Sequence, residues 1–210
     1  MYKNKPKLII GISIFLVFFV IICLAKNISN NKIVEQEQKP RIARKEKFWP
    51  YKDPKDLQPE GTWKKKSEKK KHPDLAKVKK LWIRVSLKGD RTYIMSGKKP
   101  IYTMLSTGGL YHKGKSDTPT GTFHIQEERG QEFYNYELNE GARYYVSWKN
   151  HGVYLFHSVP TKANGKIDLK EAKKLGKTQG SHGCVRLSLP DAEWLMNTVP
   201  YGTKVVIKNN

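Results

Sequence analysis

Cysteine is almost absent from this chain: among 210 residues only Cys23 and Cys184 occur, and the first lies within an apolar run. No intramolecular disulfide is expected to staple the fold, which leaves Cys184 as a free thiol. Acidic residues are also scarce, 19 Asp and Glu against 40 Lys and Arg, for a formal charge of +21. That imbalance disfavours a neutral association surface and favours polyanions: nucleic acid, anionic lipid headgroups or anionic wall polymers. Internal repeats are lacking too.

The apolar run is Leu8 to Ala25, uncharged throughout and preceded by Lys3, Lys5 and Lys7. As a helix it would span about 27 Å, close to the hydrocarbon core of a bilayer at roughly 30 Å. It is read as an uncleaved single-pass anchor rather than a signal peptide, although cleavage after Ala25 stays open. A short basic amino terminus, residues 1–7, is expected in the cytoplasm and the long downstream part outside the cell membrane.

From Lys26 to Lys80 the sequence is polar, lysine-rich and without a sustained apolar period. It reads as a disordered basic linker with a reach of about 40 Å. Within it the run Lys64-Lys65-Lys66-Ser67-Glu68-Lys69-Lys70-Lys71 is either solvated spacer or a contact for anionic lipid or wall polymer. Composition changes at Leu81, where Leu81 to Leu87 alternates as a half-buried strand does. Further short strands are expected at Thr92–Met95, Ile101–Ser106, Gly121–Gln126, Arg143–Trp148, Val153–Phe156 and Lys204–Ile207. Two helices are expected, one capped by Asp168 with Glu171 three residues on and Gly176 beyond its end. Ser188 caps the other, with Asp191 three residues on and Pro200 closing it. The fold class is therefore mainly β with short helices, a single domain over Leu81 to Asn210, large enough to bury a core without disulfides or metal.

The densest chemistry is Ser181-His182-Gly183-Cys184-Val185-Arg186-Leu187. A thiol attacks as thiolate, and a reference pKa near 8.5 leaves only a few per cent ionised at neutral pH. Lowering that pKa by two units requires about 2.7 kcal/mol of preferential stabilisation, which a nearby imidazolium could supply. Two histidines are candidates: His182, two positions from Cys184, and His157, ending a strand where it could face a cleft. Gly183 would let the backbone approach a substrate carbonyl. A zinc site from His157, His182 and Cys184 with water is the competing arrangement; the nucleophile reading is preferred, and no metal or cofactor is expected.

These residues resemble the L,D-transpeptidases with a YkuD-type catalytic domain. The matching pattern is His157 after a strand, then Ser181-His182-Gly183-Cys184, then Arg186; Ser106-Thr107-Gly108 and Asp117 to Phe123 also look like the family's earlier segments. The resemblance spans about Leu81 to Ile207. It implies acyl transfer on the outer face of the envelope, from a peptidoglycan tetrapeptide stem with release of D-alanine to the amine of another stem. Under it Cys184 is the nucleophile and His157 the general base. Ser158 and His182 position groups, with His182 either orienting the loop or moving protons. The amides of His182, Gly183 and Cys184 form the oxyanion hole with Ser181 beside them, and Arg186 holds the site or a substrate carboxylate. The segment Ser158 to Gly180 is longer than in many members and is read as an insertion lining the acceptor side. Phe133 to Tyr136 with Tyr144 and Tyr145 are either a lid or core strand. The rivals are a carboxypeptidase or hydrolase on the same site, and a non-catalytic protein binding wall polyanions. Nucleic acid is not an expected partner, since the basic run follows a membrane segment.

Overall fold

The computed structural model describes residues 48–210, together with Lys26, Ile28 and Ser29. The expected anchor at Leu8 to Ala25 lies outside the described residues. Among those described, no helix is long and apolar enough to cross a membrane. Residues 46–210 form one compact unit.

Eleven strands carry this unit. Strands β1 (Leu81–Ser86), β2 (Arg91–Ser96), β3 (Lys99–Leu105), β6 (Gly121–His124) and β11 (Lys204–Lys208) make a five-stranded sheet in the order β3-β2-β1-β11-β6. Strands β7 (Arg129–Asn135), β8 (Glu140–Lys149), β9 (Tyr154–Ser158) and β10 (Val185–Leu187) make a second sheet in the order β10-β9-β8-β7. A small hairpin, β4 (Tyr111–His112) with β5 (Lys115–Ser116), lies between them in sequence. Helix α1 spans Leu169–Ala172 and α2 spans Leu189–Thr198; a 3-10 turn covers Leu75–Lys77.

Apolar side chains of both sheets share one core. Ile83 and Val85 of β1, Ile94 of β2 and Val205 and Ile207 of β11 join Val146 and Trp148 of β8, Phe156 of β9 and Val185 and Leu187 of β10. Leu195 and Ala192 of α2 pack into the same cluster, so burial of one helix stripe fixes that helix. Each fully buried Leu or Ile of this kind is worth about 1.5–3 kcal/mol relative to exposure.

Two expectations are corrected. Strand β1 is not half-wet: Arg84 and Ser86 are buried along with Ile83 and Val85. The polar face is covered by residues 48–53, where Ser86 Oγ donates to the Phe48 carbonyl at 2.8 Å and Trp49 Nε1 donates to Gly89 O at 2.9 Å. Arg91 of β2 is held by Asp53 through Nε and Nη2. The described part of the expected linker, residues 48–80, is accordingly not a disordered spacer. Ser67 and Glu68 are 0% and 1% exposed. The Ser67 hydroxyl donates to Asp191 Oδ2 at 2.5 Å and accepts from Leu105 N–H at 2.9 Å; Glu68 Oε1 accepts from Thr103 N–H at 2.5 Å. This strap satisfies the open edge of β3, which would otherwise present unpaired amides. Polar atoms make the attachment, so a search for apolar periodicity passes over it.

Candidate functional site

Strands β9 and β10 run parallel, with Val185 beside Phe156 and Arg186 beside His157. Side chains alternate between faces. Phe156, Val185 and Leu187 enter the shared core, so Leu155, His157, Cys184 and Arg186 take the other face. One register therefore puts the thiol, the imidazole and the guanidinium together.

The Cys184 thiol sits over the start of β9. Leu155 N–H donates to Sγ at 3.4 Å, and the thiol donates toward Val153 O at 3.7 Å. Burial pushes its pKa up from 9.0 to about 11, with the Leu155 bond and the Arg186 charge pulling down and Glu140 adding to the rise. His157 is 2% exposed; burial, then the Arg186 charge, push it down from 6.5 to about 3, against the bond to the Ser158 carbonyl. The resting pair is thus neutral thiol and neutral imidazole. The expected imidazolium beside a thiolate does not form at rest, because burial penalises both charged forms. Nδ1 of His157 lies 2.6 Å from Ser158 O. A carbonyl only accepts, so Nδ1 carries the proton and Nε2 is left with its lone pair. Phe133 of β7 stands edge-on to this ring, with centroids 5.5 Å apart at 84°.

The supporting residues fall as follows. Ser158 acts through its backbone carbonyl, its hydroxyl being engaged with Val159 O and Arg143 N–H. Ser181 Oγ donates to Cys184 O at 2.5 Å and accepts from Gly183 N–H at 3.2 Å. That turn occupies the Gly183 amide, whereas among the described residues the His182 and Cys184 amides have no hydrogen-bond acceptor. Gly183 has φ +133°, and a Cβ there would stand 2.9 Å from the Tyr154 ring; glycine is required for both reasons. Thr118 links the early segment to the loop, donating to Gly183 O at 2.8 Å and accepting from Gly109 N–H at 2.8 Å. His182 is exposed. Arg186, 1% exposed, pairs with Glu171 at 2.9 Å and Glu140 at 2.6 Å. Burial would raise the Glu171 pKa, but bonds from Lys174 and Arg186 outweigh it and hold the carboxyl below its usual range.

Glu140 and Glu171 were not legible as site residues, whereas Thr118 lay in the early segment Asp117 to Phe123 and Phe133 in the aromatic stretch read as lid or core strand. The only sequence signal of the two glutamates is one of placement, such as Glu171 at the third position after a helix cap. A pocket of about 350 Å³ beside the loop is lined by His182, Glu140, Glu171 and Lys174 among others. A larger hollow of about 610 Å³ near Phe123 and Trp148 contains none of the signature residues.

Residues 80–207 match the family model for the YkuD L,D-transpeptidase catalytic domain. The chain is 48% identical over 136 residues, 65% of its own length and 69% of the relative's, to a Bacillus subtilis (strain 168) protein named as the candidate L,D-transpeptidase YciB. Among solved structures it is similar to a Clostridium acetobutylicum ATCC 824 fused Zn-dependent amidase/peptidase/peptidoglycan-binding protein, at 32% identity, with TM-score 0.44 over 61% of this chain and 52% of that one. It is also similar to an L,D-transpeptidase from Mycobacterium tuberculosis H37Rv, at 20% identity, with TM-score 0.46 over 61% and 57% of the two chains. The chain thus spans between half and three-fifths of the length of these two solved chains. On the match over residues 80–207, this chain belongs to the YkuD family of L,D-transpeptidase catalytic domains.

Proposed function

We propose that the chain is a peptidoglycan L,D-transpeptidase that works by cysteine acyl transfer. The observation that supports this reading is the pairing of β9 with β10, which sets Arg186 beside His157 and the Leu155 amide on Cys184 Sγ, with the His157 Nδ1 proton held by Ser158 O so that Nε2 keeps its lone pair. The substrate is a tetrapeptide stem. His157 Nε2 takes the thiol proton as Sγ attacks the carbonyl before D-alanine, and gives it to the leaving amine. The His182 and Cys184 amides receive the developing oxyanion, a contribution typically worth 2.7–4 kcal/mol for one donor. Because both groups rest neutral, proton transfer accompanies attack rather than preceding it. An amine of a second stem then resolves the thioester.

The chain is held at the cell membrane by Leu8 to Ala25, with residues 48–210 outside, where the substrate lies. Two experiments test this reading. Intact mass after incubation with a stem tetrapeptide should show one acyl adduct mapping to Cys184, with free D-alanine released. Amine acceptors should then convert the adduct to amide product; conversion by water alone, with amines ignored, would make the protein a carboxypeptidase. Protease added to wall-stripped cells should digest the catalytic unit, and protection until lysis would reverse the orientation.

A further inference from the structure

From Ser67 to Lys80 the chain runs back along the edge of β3. Leu105 N–H donates to the Ser67 hydroxyl and Thr103 N–H to Glu68, and His72 packs on the Tyr102 ring with centroids 5.0 Å apart. The Lys79 carbonyl then accepts from Ser96 Oγ at 2.9 Å, and the Lys80 carbonyl from Gly97 N–H at 3.1 Å. These contacts lead from the end of β3 to the turn before it, a path of roughly 20 Å at the rise of a β-strand. Because Ser67 and Glu68 are buried, the lysines around them are left outside. Lys64, Lys65, Lys69 and Lys71 are exposed beside that pair, and Lys79, Lys80, Lys98 and Lys99 are exposed around the β2–β3 turn. None of these eight forms an ion pair among the described residues. Of the acids at hand, Glu68 pairs with Lys70 and Asp74 with Lys77, while Asp56 Oδ2 accepts from the Lys70 amide. Residues 96–105 contain no acid at all.

A track of unpaired ammonium groups along one sheet edge is complementary to a chain of repeated negative charge. What the track lacks narrows that chain. No exposed large apolar side chain lies within residues 64–80 or 96–105, whereas a face that binds a bilayer buries apolar groups beside its basic ones. Its rings are engaged: Tyr102 is buried, Trp63 packs against a core cluster and Trp194 stacks on His72, so no platform is open to nucleic-acid bases. Neither stretch contains arginine, so the planar fork that grips a carboxylate bidentately is missing and lysine point charges remain. We propose that this edge binds a linear polyphosphodiester without bases, the chemistry of a phosphate-linked wall polymer, and so holds the catalytic unit on it. Binding of this kind is driven by counterion release and falls steeply with salt. The inference stands apart from the acyl-enzyme reading, since none of these lysines belongs to the Cys184 site.

The test uses the full-length protein in a neutral detergent and soluble poly(glycerol phosphate), with binding followed across a salt series. One variant combines K64Q, K65Q, K69Q and K71Q, and a second combines K79Q, K80Q, K98Q and K99Q. A third, with K113Q, K115Q, K166Q and K208Q, removes the same charge from exposed positions off the track. Each track variant should bind at least about tenfold more weakly than wild type at equal salt. Its slope of log K against log salt should be shallower by about three, four phosphate contacts at about 0.7 each. The third variant should change affinity by less than about twofold, because charges more than a Debye length from the polymer are screened. All three should keep the wild-type melting temperature, and the two halves of the track are independent, so either one decides the matter if the other folds poorly. No acylation is needed for the readout, so failure of the transferase reading leaves it intact. Track variants that bind like wild type overturn the proposal, and a third variant that weakens as much as they do reduces the effect to net charge and overturns it too. Single-stranded DNA and vesicles of phosphatidylcholine with phosphatidylglycerol are the competing probes. A larger loss on either of them than on poly(glycerol phosphate) assigns the edge to nucleic acid or to a bilayer and likewise overturns it.

Discussion

At Cys184 the structure sets a problem of ionisation, since burial holds the thiol near 11 and its partner His157 near 3. Between those values both groups are neutral, so acylation by wild type should be nearly flat from about pH 4 to pH 10. In His157→Gln the internal base is gone and hydroxide must ionise the thiol. Its rate should fall about 100- to 10,000-fold at pH 7 and then climb about tenfold per pH unit toward 11. A variant as fast as wild type at pH 7 would remove His157 as the base. The same histidine affects stability. Its folded pKa lies below the unfolded value of 6.5, so the unfolded chain binds the extra proton as pH falls. The stability it contributes is whole above pH 6.5 and is lost from there down to about 3, at up to ~1.4 kcal/mol per pH unit. Urea midpoints of wild type and His157→Gln should therefore converge on acidification across that window, and a constant difference would contradict the buried neutral ring.

Among the elements, the strap over residues 48–72 is the one the sequence concealed. Its anchor is Asp191, fully buried on α2, which accepts from Ser67 and Tyr102 and pairs with His72 at 2.8 Å. The His72 ring stacks on Trp194 with centroids 4.5 Å apart at 2°. Ser67→Ala removes a hydroxyl that serves Asp191 and Leu105 at once. Combining one charge-assisted and one neutral bond, it should cost about 2–4 kcal/mol in a urea titration. A change below about 0.5 kcal/mol would mean the strap rests on the domain without bracing it.

For the molecule as a whole, the functional unit begins ahead of the family match at residue 80. A protein starting at Glu46 should melt cooperatively and acylate at the full-length rate. One starting at Lys79 strips the cover from β3 and leaves the Asp191 carboxylate buried without Ser67 and His72. Tyr102 alone then serves that carboxylate, and losing its bonds to Ser67 and His72, at about 1.5–3 kcal/mol each, removes a large part of a typical domain's stability. The shorter protein should have a lower melting temperature and, if it folds, the same adduct at Cys184. Equal melting temperatures would restore the reading of residues 48–80 as spacer.

Local signals in the sequence determined the β-rich class, both helix caps, the free thiol and the Ser181 to Arg186 signature, because alternation, capping and a short loop depend on neighbours along the chain. Ser188 and Asp168 do cap α2 and α1 as their spacing requires. Only tertiary structure decided where the acids three residues later would point. Neither Asp191 nor Glu171 is confined to its own helix end: Asp191 reaches the strap, and Glu171 reaches Arg186 and Lys174. The neutral resting state of Cys184 and His157 was likewise outside the sequence's reach. Burial sets it, and burial is a property of what the remaining elements stack around two side chains twenty-seven positions apart.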